Sequence, residues 1–291
     1  MAVIDNTILT TDVAPAISID LVTNLTQNIR SLQELLGIVD LVPMAAGTQL
    51  KTYHEEVGDL NKQETEGDII PLTKVALVED DPIVLDFDLY RKMITAQDIQ
   101  KVGRDRAIYT TDRALIGKIR GTVKGKFYES LANGQGTIDD GDNLQAALAK
   151  AWSTLHVAFE DFDASPIYFV NPTDVADYLG TAAISTQTAF GFDYVEDFLG
   201  LGTVVFAAGV EAGTYYATAR ENLRGAFVPA NGEVGQEFDL TSDESGLVGI
   251  THGRVLERGS IESMLMCGII FFAENNSLVY KGTIGGGSVS A

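Results

Sequence analysis

Apolar residues recur along the first part of the chain at helical spacing: Ile17, Leu21, Leu25, Ile29, Leu32 and Leu36 lie four, four, four, three and four residues apart. That is a single stripe, and it predicts a helix with one buried side, ended by Pro43. From Met44 to Leu89 the period changes. "TQLKTYHEEVGDL" and "IIPLTKVALVEDDPIVLDFDLYRK" alternate in part and are rich in β-branched and aromatic residues, with the polar "NKQETEGD" between them. This predicts a long two-stranded excursion with a polar tip. An isolated hairpin is at best marginally stable in water, so this one needs a surface to lie on.

The next segment, Thr95 to Ala132, has no proline and carries the apolar line Ile116, Ile119, Val123, Phe127 and Leu131. As one continuous helix it would extend about 57 Å at about 1.5 Å per residue. Gly117, Gly121 and Gly125 fall on one of its faces. Each costs about 1 kcal/mol relative to alanine, which suggests either close approach of another backbone or a kinked, frayed end. A loop, "NGQGTIDDGDN", precedes a second amphipathic pattern through Leu144, Leu148, Trp152, Leu155 and Phe159. "SPIYFVNPTDVADYLG" then reads as a buried strand, an Asn-Pro breaker and a short helix capped by Asn171 or Thr173, with Val175, Tyr178 and Leu179 turned inward. The rest is strand-like, including "GTVVFAAGV", "GTYYATA", "GAFVPA" and the apolar run "MLMCGIIFFA", which reads as a core strand; "GGGSVSA" is a tail. No fixed-period repeat is present.

Charge sharpens this picture. The hairpin segment carries eleven acids against Lys51, Lys62 and Lys74, a net −8, whereas Lys101 to Lys126 holds eight basic residues against Asp105 and Asp112, a net +6. A basic helix follows an acidic hairpin. The whole chain, at −21 over 291 residues, would repel a phosphate backbone, which argues against a nucleic-acid binder. Hydrophobic residues at 45% and charged residues at 21% describe a folded protein large enough for a sizeable core. With Cys267 alone, no intrachain disulfide forms. The N-terminus lacks the basic flank and apolar segment of a signal peptide, and the "MLMCGIIFFA" run is about half the ~20 residues of a membrane span, so a cytoplasmic product is expected.

Candidate chemistry is thin. His54, His156 and His252 are far apart with no cysteine partners, which gives zinc no support. Gly121 to Phe127 has the wrong glycine spacing for a phosphate loop and Phe127 where a hydroxyl would hold magnesium; Gly200 to Gly202 lacks the third glycine of a dinucleotide fingerprint. "IDDGDN" does not keep the calcium-loop order and reads as a turn. No serine has a nucleophile-elbow context, and pairs such as Asp80 and Asp81 have nothing to exclude water. No catalytic, cofactor-binding or metal-ligating residue is assigned, and no cofactor is expected.

The order of elements resembles the tailed-bacteriophage major capsid protein, the Hong Kong 97-type fold. "YFVNPTDVADYL" and "YYATARENLRGAFV" are similar to axial-domain segments of that family, and "FFAENNSLVYKGTI" to a strand closing its peripheral domain. The resemblance covers nearly the whole chain and implies an α+β architecture: residues 1–43 as N-terminal arm and helix, 44–93 as extended β-hairpin loop, 94–135 as spine helix, 136–236 as α/β axial domain, 237–285 as peripheral strands and 286–291 as flexible tail. It implies hexamers and pentamers of an icosahedral head enclosing double-stranded DNA, in a virion assembled in a host bacterial cytoplasm, with a portal protein as partner and no membrane. Because the sequence enters the arm almost at once, without the long scaffolding region that family members often carry, a separate scaffolding protein is expected. Some members cross-link Lys to Asn between subunits; Lys62 at the hairpin tip is the suitable lysine, no asparagine matches it, and no cross-link is assigned. Two alternatives stand beside this reading: an encapsulin-type compartment shell, and an acidic α/β enzyme or binding module whose site the residues do not reveal.

Overall fold

The computed structural model describes residues 10–38, 41–51, 53–57, 75–79, 82–160, 164–180, 186–189, 191–242 and 244–285. The hairpin tip with Lys62 and the glycine-rich tail lie outside them.

The N-terminal helix spans Thr10–Leu36, and Leu25, Ile29, Leu32 and Leu36 are all buried, as their spacing requires. It stops earlier than Pro43. Gly37, at φ +72°, takes the left-handed conformation; its N–H donates to Glu34 O (3.2 Å) and that of Ile38 to Gln33 O (2.9 Å), which satisfies the last carbonyls. Pro43 instead sits in a two-residue strand, Val42–Pro43, paired parallel to Leu223–Phe227.

The long helix is two helices. Thr95 caps Ala96–Val102 through Asp98 N–H, Gly103 breaks the path at φ +84°, and Arg104–Ala132 follows without interruption. The expected continuous helix from Thr95 is therefore corrected, because a glycine at positive φ re-aims the chain where a side chain would resist. Within Arg104–Ala132 the apolar line Ile116, Ile119, Val123, Phe127 and Leu131 is buried throughout.

Three sheets surround this helix. A four-stranded antiparallel sheet runs in the order Thr241–Ser242, Val248–Val255, Ser260–Cys267, Asp88–Thr95. A three-stranded sheet holds Val42–Pro43, Leu223–Phe227 and Ile269–Ala273. A seven-stranded mixed sheet has Pro166–Val170 at its centre, parallel to Thr203–Phe206 and antiparallel to Thr214–Ala219. Ile167 to Val170 are fully buried, which is what a strand covered on both faces needs. Two further ribbons, Thr48–Leu50 with Ile83–Leu85 and Tyr53–Val57 with Val75–Glu79, form the described part of the hairpin.

Two strand assignments change. The apolar run "MLMCGIIFFA" is two strands in two sheets, split at Gly268, where a Cβ would lie 2.9 Å from Phe87 Cβ. The closing strand Tyr280–Thr283 pairs with Thr214–Ala219 in the seven-stranded sheet rather than with the four-stranded one. The seven-stranded and three-stranded sheets are thereby joined twice, outward from the first by the turn Arg220–Asn222 and back to it by Asn276–Leu278. Asn222, 4% exposed, locks both turns: its Nδ2 donates to Thr218 Oγ1 (3.1 Å) and Asn275 O (2.9 Å), and its Oδ1 accepts from Asn275 N–H (2.9 Å).

Candidate functional site

The described residues do not bring the sequence candidates together. His54 lies on the strand Tyr53–Val57, His156 on the helix Leu144–Ala158 and His252 on Val248–Val255; no group of three His, Cys, Asp or Glu side chains converges among the described residues. Gly121 to Phe127 lies inside the long helix with Phe127 buried. Asn143 of "IDDGDN" caps the next helix through Ala146 N–H (2.9 Å). Cys267 is buried in the main core, and desolvation pushes its thiol up to about 12, which leaves it inert at neutral pH. No described helix is long and apolar enough to cross a membrane.

The strand-turn-helix unit is framework. Asn171 Oδ1 accepts from Thr173 N–H (2.9 Å) and its Nδ2 donates to Val210 O (2.6 Å), so Asn171 is the cap and also ties the turn to the neighbouring strand connection. Asp174 Oδ2 accepts from Gly213 N–H (2.9 Å). Val175 is buried, but Leu179 is 41% exposed, contrary to the inward turn expected of it. Asp174, Asp177 and Asp142 line an open groove of about 490 Å³.

The basic helix divides its charges between the protein's own interior and solvent. Lys126 pairs with Asp88 (2.8 Å), and Lys124 donates to Gly191 O (2.6 Å) while lying 3.9 Å over the Phe192 ring. Arg106, Arg113 and Lys118 are exposed, as are Gly117 and Gly121. A Cβ at Gly117, Gly121 or Gly125 would meet nothing within 4 Å, so among the described residues no backbone approaches that face, and the helix neither breaks nor frays there.

Between this helix and the four-stranded sheet lies a polar cluster that periodicity did not reveal. Lys92 projects inward from the edge strand Asp88–Thr95, contacts Asp112 on the helix and donates to Ile108 O (3.1 Å). Asp112 is 2% exposed. On the next strands, His252 Nδ1 shares a hydrogen bond with the buried Ser263 Oγ (2.7 Å). The available signal was Lys92 at an inward position between Tyr90 and Ile94. Burial lowers the pKa of His252; Asp112 opposes this, while Lys92 and Arg104 reinforce it. The unfolded chain takes up the proton near pH ~6.5 and the folded chain resists it, so this contribution to stability is complete above that pH and is lost as pH falls. Urea unfolding at about pH 8 and about pH 5.5 is expected to show a smaller acid loss in His252→Asn than in the parent chain; an equal loss would assign the effect to other groups.

No protein-family model and no curated protein matches the sequence. Solved structures do match in fold. A virus-like particle from Pyrococcus furiosus is 10% identical, with a TM-score of 0.50 over 90% of this chain and 98% of its own. The holo-SrpI encapsulin complex from Synechococcus elongatus gives 10%, 0.52 and 86% of each chain. The capsid of an empty GTA particle gives 8%, 0.53, and 88% and 90%. All three are shells. The arrangement of helices and sheets as a whole matches the Hong Kong 97-type fold that these phage capsids and encapsulins share.

Proposed function

We propose that this protein is a self-assembling shell subunit, and specifically the major capsid protein of a tailed bacteriophage. The observation that carries the reading is a fold shared with three shells along 86% or more of the chain. Under this reading residues 1–43 are the arm, 44–93 the extended loop, 94–135 the spine, and 136–236 and 237–285 the axial and peripheral parts, with the closing strand returned to the axial sheet. The acidic hairpin lies across a neighbouring copy, aligned by the exposed Arg106, Arg113 and Lys118 of the basic helix. Exposed pairs contribute only about 0–1 kcal/mol each, so these charges set register, and buried apolar area supplies the cohesion. The protein is not an enzyme. Its partners are its own copies in hexamers and pentamers, a portal, a scaffolding protein and enclosed DNA, which an acidic inner wall releases readily.

An encapsulin-type compartment is the second reading, favoured by the equally good match to an encapsulin shell. Size-exclusion chromatography and electron microscopy of the purified chain are expected to show rings or closed particles. A stable small oligomer under all conditions would sink both readings and favour an acidic enzyme or binding module. Nucleic acid inside native particles supports the phage head; a protein cargo supports the compartment.

A further inference from the structure

The helix Leu144–Ala158 buries Leu144, Ala147, Leu148, Ala151 and Leu155 and turns Ala149, Trp152, Ser153, His156 and Val157 outward. The sequence stripe had placed Trp152 with the core, yet this single tryptophan is 37% exposed and Val157 is 72% exposed. Trp152 stacks on His156 with ring centroids 4.2 Å apart, so the indole is ordered before any partner arrives. Large aromatic side chains held this way are the usual anchors of protein interfaces.

The helix also contains no acid, in a chain with 41 of them; Lys150 and His156 are its only groups able to carry charge. Two copies of a chain at −21 repel wherever acidic surface meets acidic surface. A helix without acids adds none of that repulsion itself, and the exposed Asp140 beside it lies against Lys150, whose Nζ donates to Asp140 O.

A complementary feature lies across the same sheet. The helix packs over Thr214–Ala219, Tyr280–Thr283 and Pro166–Val170, and residues 196–202 connect the two strands beyond Pro166–Val170. In that connection Leu199 is held at φ +56°, a strained conformation for leucine, and is 57% exposed. The strain is enforced: Phe198 N–H donates to Gly202 O (2.9 Å), Leu201 N–H to Phe198 O (3.0 Å) and Gly200 N–H to Asp197 Oδ1 (2.9 Å). The buried Phe198 packs on Tyr178, centroids 5.3 Å apart. The loop is thus pinned inward by Phe198 and presents Leu199 outward beside Glu196 and Asp197, with no basic residue of its own.

We propose that the Trp152 face of one copy receives the Leu199 loop of the next. The two patches differ and lie over different strands of one sheet, so the contact is head-to-tail and repeats around a ring. Lys150 and His156 meet Glu196 and Asp197, and Leu199 seats against Trp152 and Val157. The inference rests on the shell reading above and adds which surfaces close the ring.

The test uses the full chain. Trp152→Asp and Leu199→Gly are each expected to raise the protein concentration needed for particle formation by about thirtyfold or more, with the circular dichroism spectrum of the unassembled subunit unchanged. Glycine adopts the Leu199 backbone conformation freely, so Leu199→Gly removes the knob and keeps the fold. In a second assay, chains carrying Val157→Cys are mixed with chains carrying Leu199→Cys and oxidised; a disulfide-linked dimer is expected only in the mixture, since Cys267 is buried. Parental particles together with variants that assemble at the parental concentration, or with no mixed cross-link, would overturn this contact and leave the shell reading intact. A parental chain that forms no particles overturns the shell reading itself.

Discussion

Replacing Asp112 by alanine is expected to destabilise the subunit by about 3–5 kcal/mol, because it strands the Lys92 ammonium in a site built for a pair. The side chains of Lys92 and Asp112 are only 13% and 2% exposed, so water cannot take over from the missing carboxylate. Desolvation already lowers the pKa of Lys92, and without Asp112 it falls further, so part of the loss appears as a proton released on folding. The double variant Lys92→Met with Asp112→Leu is expected to recover most of the loss, since a buried pair and an apolar pair of similar volume are close in free energy. Chemical unfolding of the unassembled subunit measures both. A single variant within about 1 kcal/mol of the parent would mean that solvent reaches this cluster.

Phe127→Ala is expected to cost a similar ~3–5 kcal/mol, by a different route. Phe127 is 1% exposed and meets Phe169 of the seven-stranded sheet edge-on, with centroids 5.2 Å apart, and Phe271 of the three-stranded sheet at 6.4 Å. Truncation opens a cavity where the helix and two sheets converge and removes two aromatic contacts of about 0.5–1.5 kcal/mol each. Phe127→Leu, which fills most of the volume, is expected to lose less than half as much in the same unfolding experiment. Equal losses would show that the aromatic contacts, not the volume, hold this junction.

Local pattern made the elements legible, and non-local pairing hid how they meet. The stripes through Leu25 to Leu36 and through Ile116 to Leu131 were readable because burial on one helix face imposes its period on the sequence. Pro43 and Gly103 misled for opposite reasons: proline ends a helix only if the helix reaches it, and an isolated glycine does not declare its φ. Nothing in "VYKGTI" says which sheet it joins, since pairing is decided by the distant strand Thr214–Ala219. Trp152 lay at the margin of its stripe, where one helical step separates core from surface. The proposed assembly surfaces were the least legible part, because a side chain that serves another copy leaves no period in its own chain.

The double crossing locked by Asn222 makes the two sheets one mechanical body. Bending them apart would break the bonds to Thr218 and to both backbone groups of Asn275 at once, leaving a 4% exposed amide without partners. In the closed shell proposed for this chain, rings of five and rings of six would demand different curvature from the same subunit. Under that proposal, a subunit stiff at this joint would not supply the difference by flexing; the angle would be taken up where copies meet, and neighbours would set the tilt of each subunit.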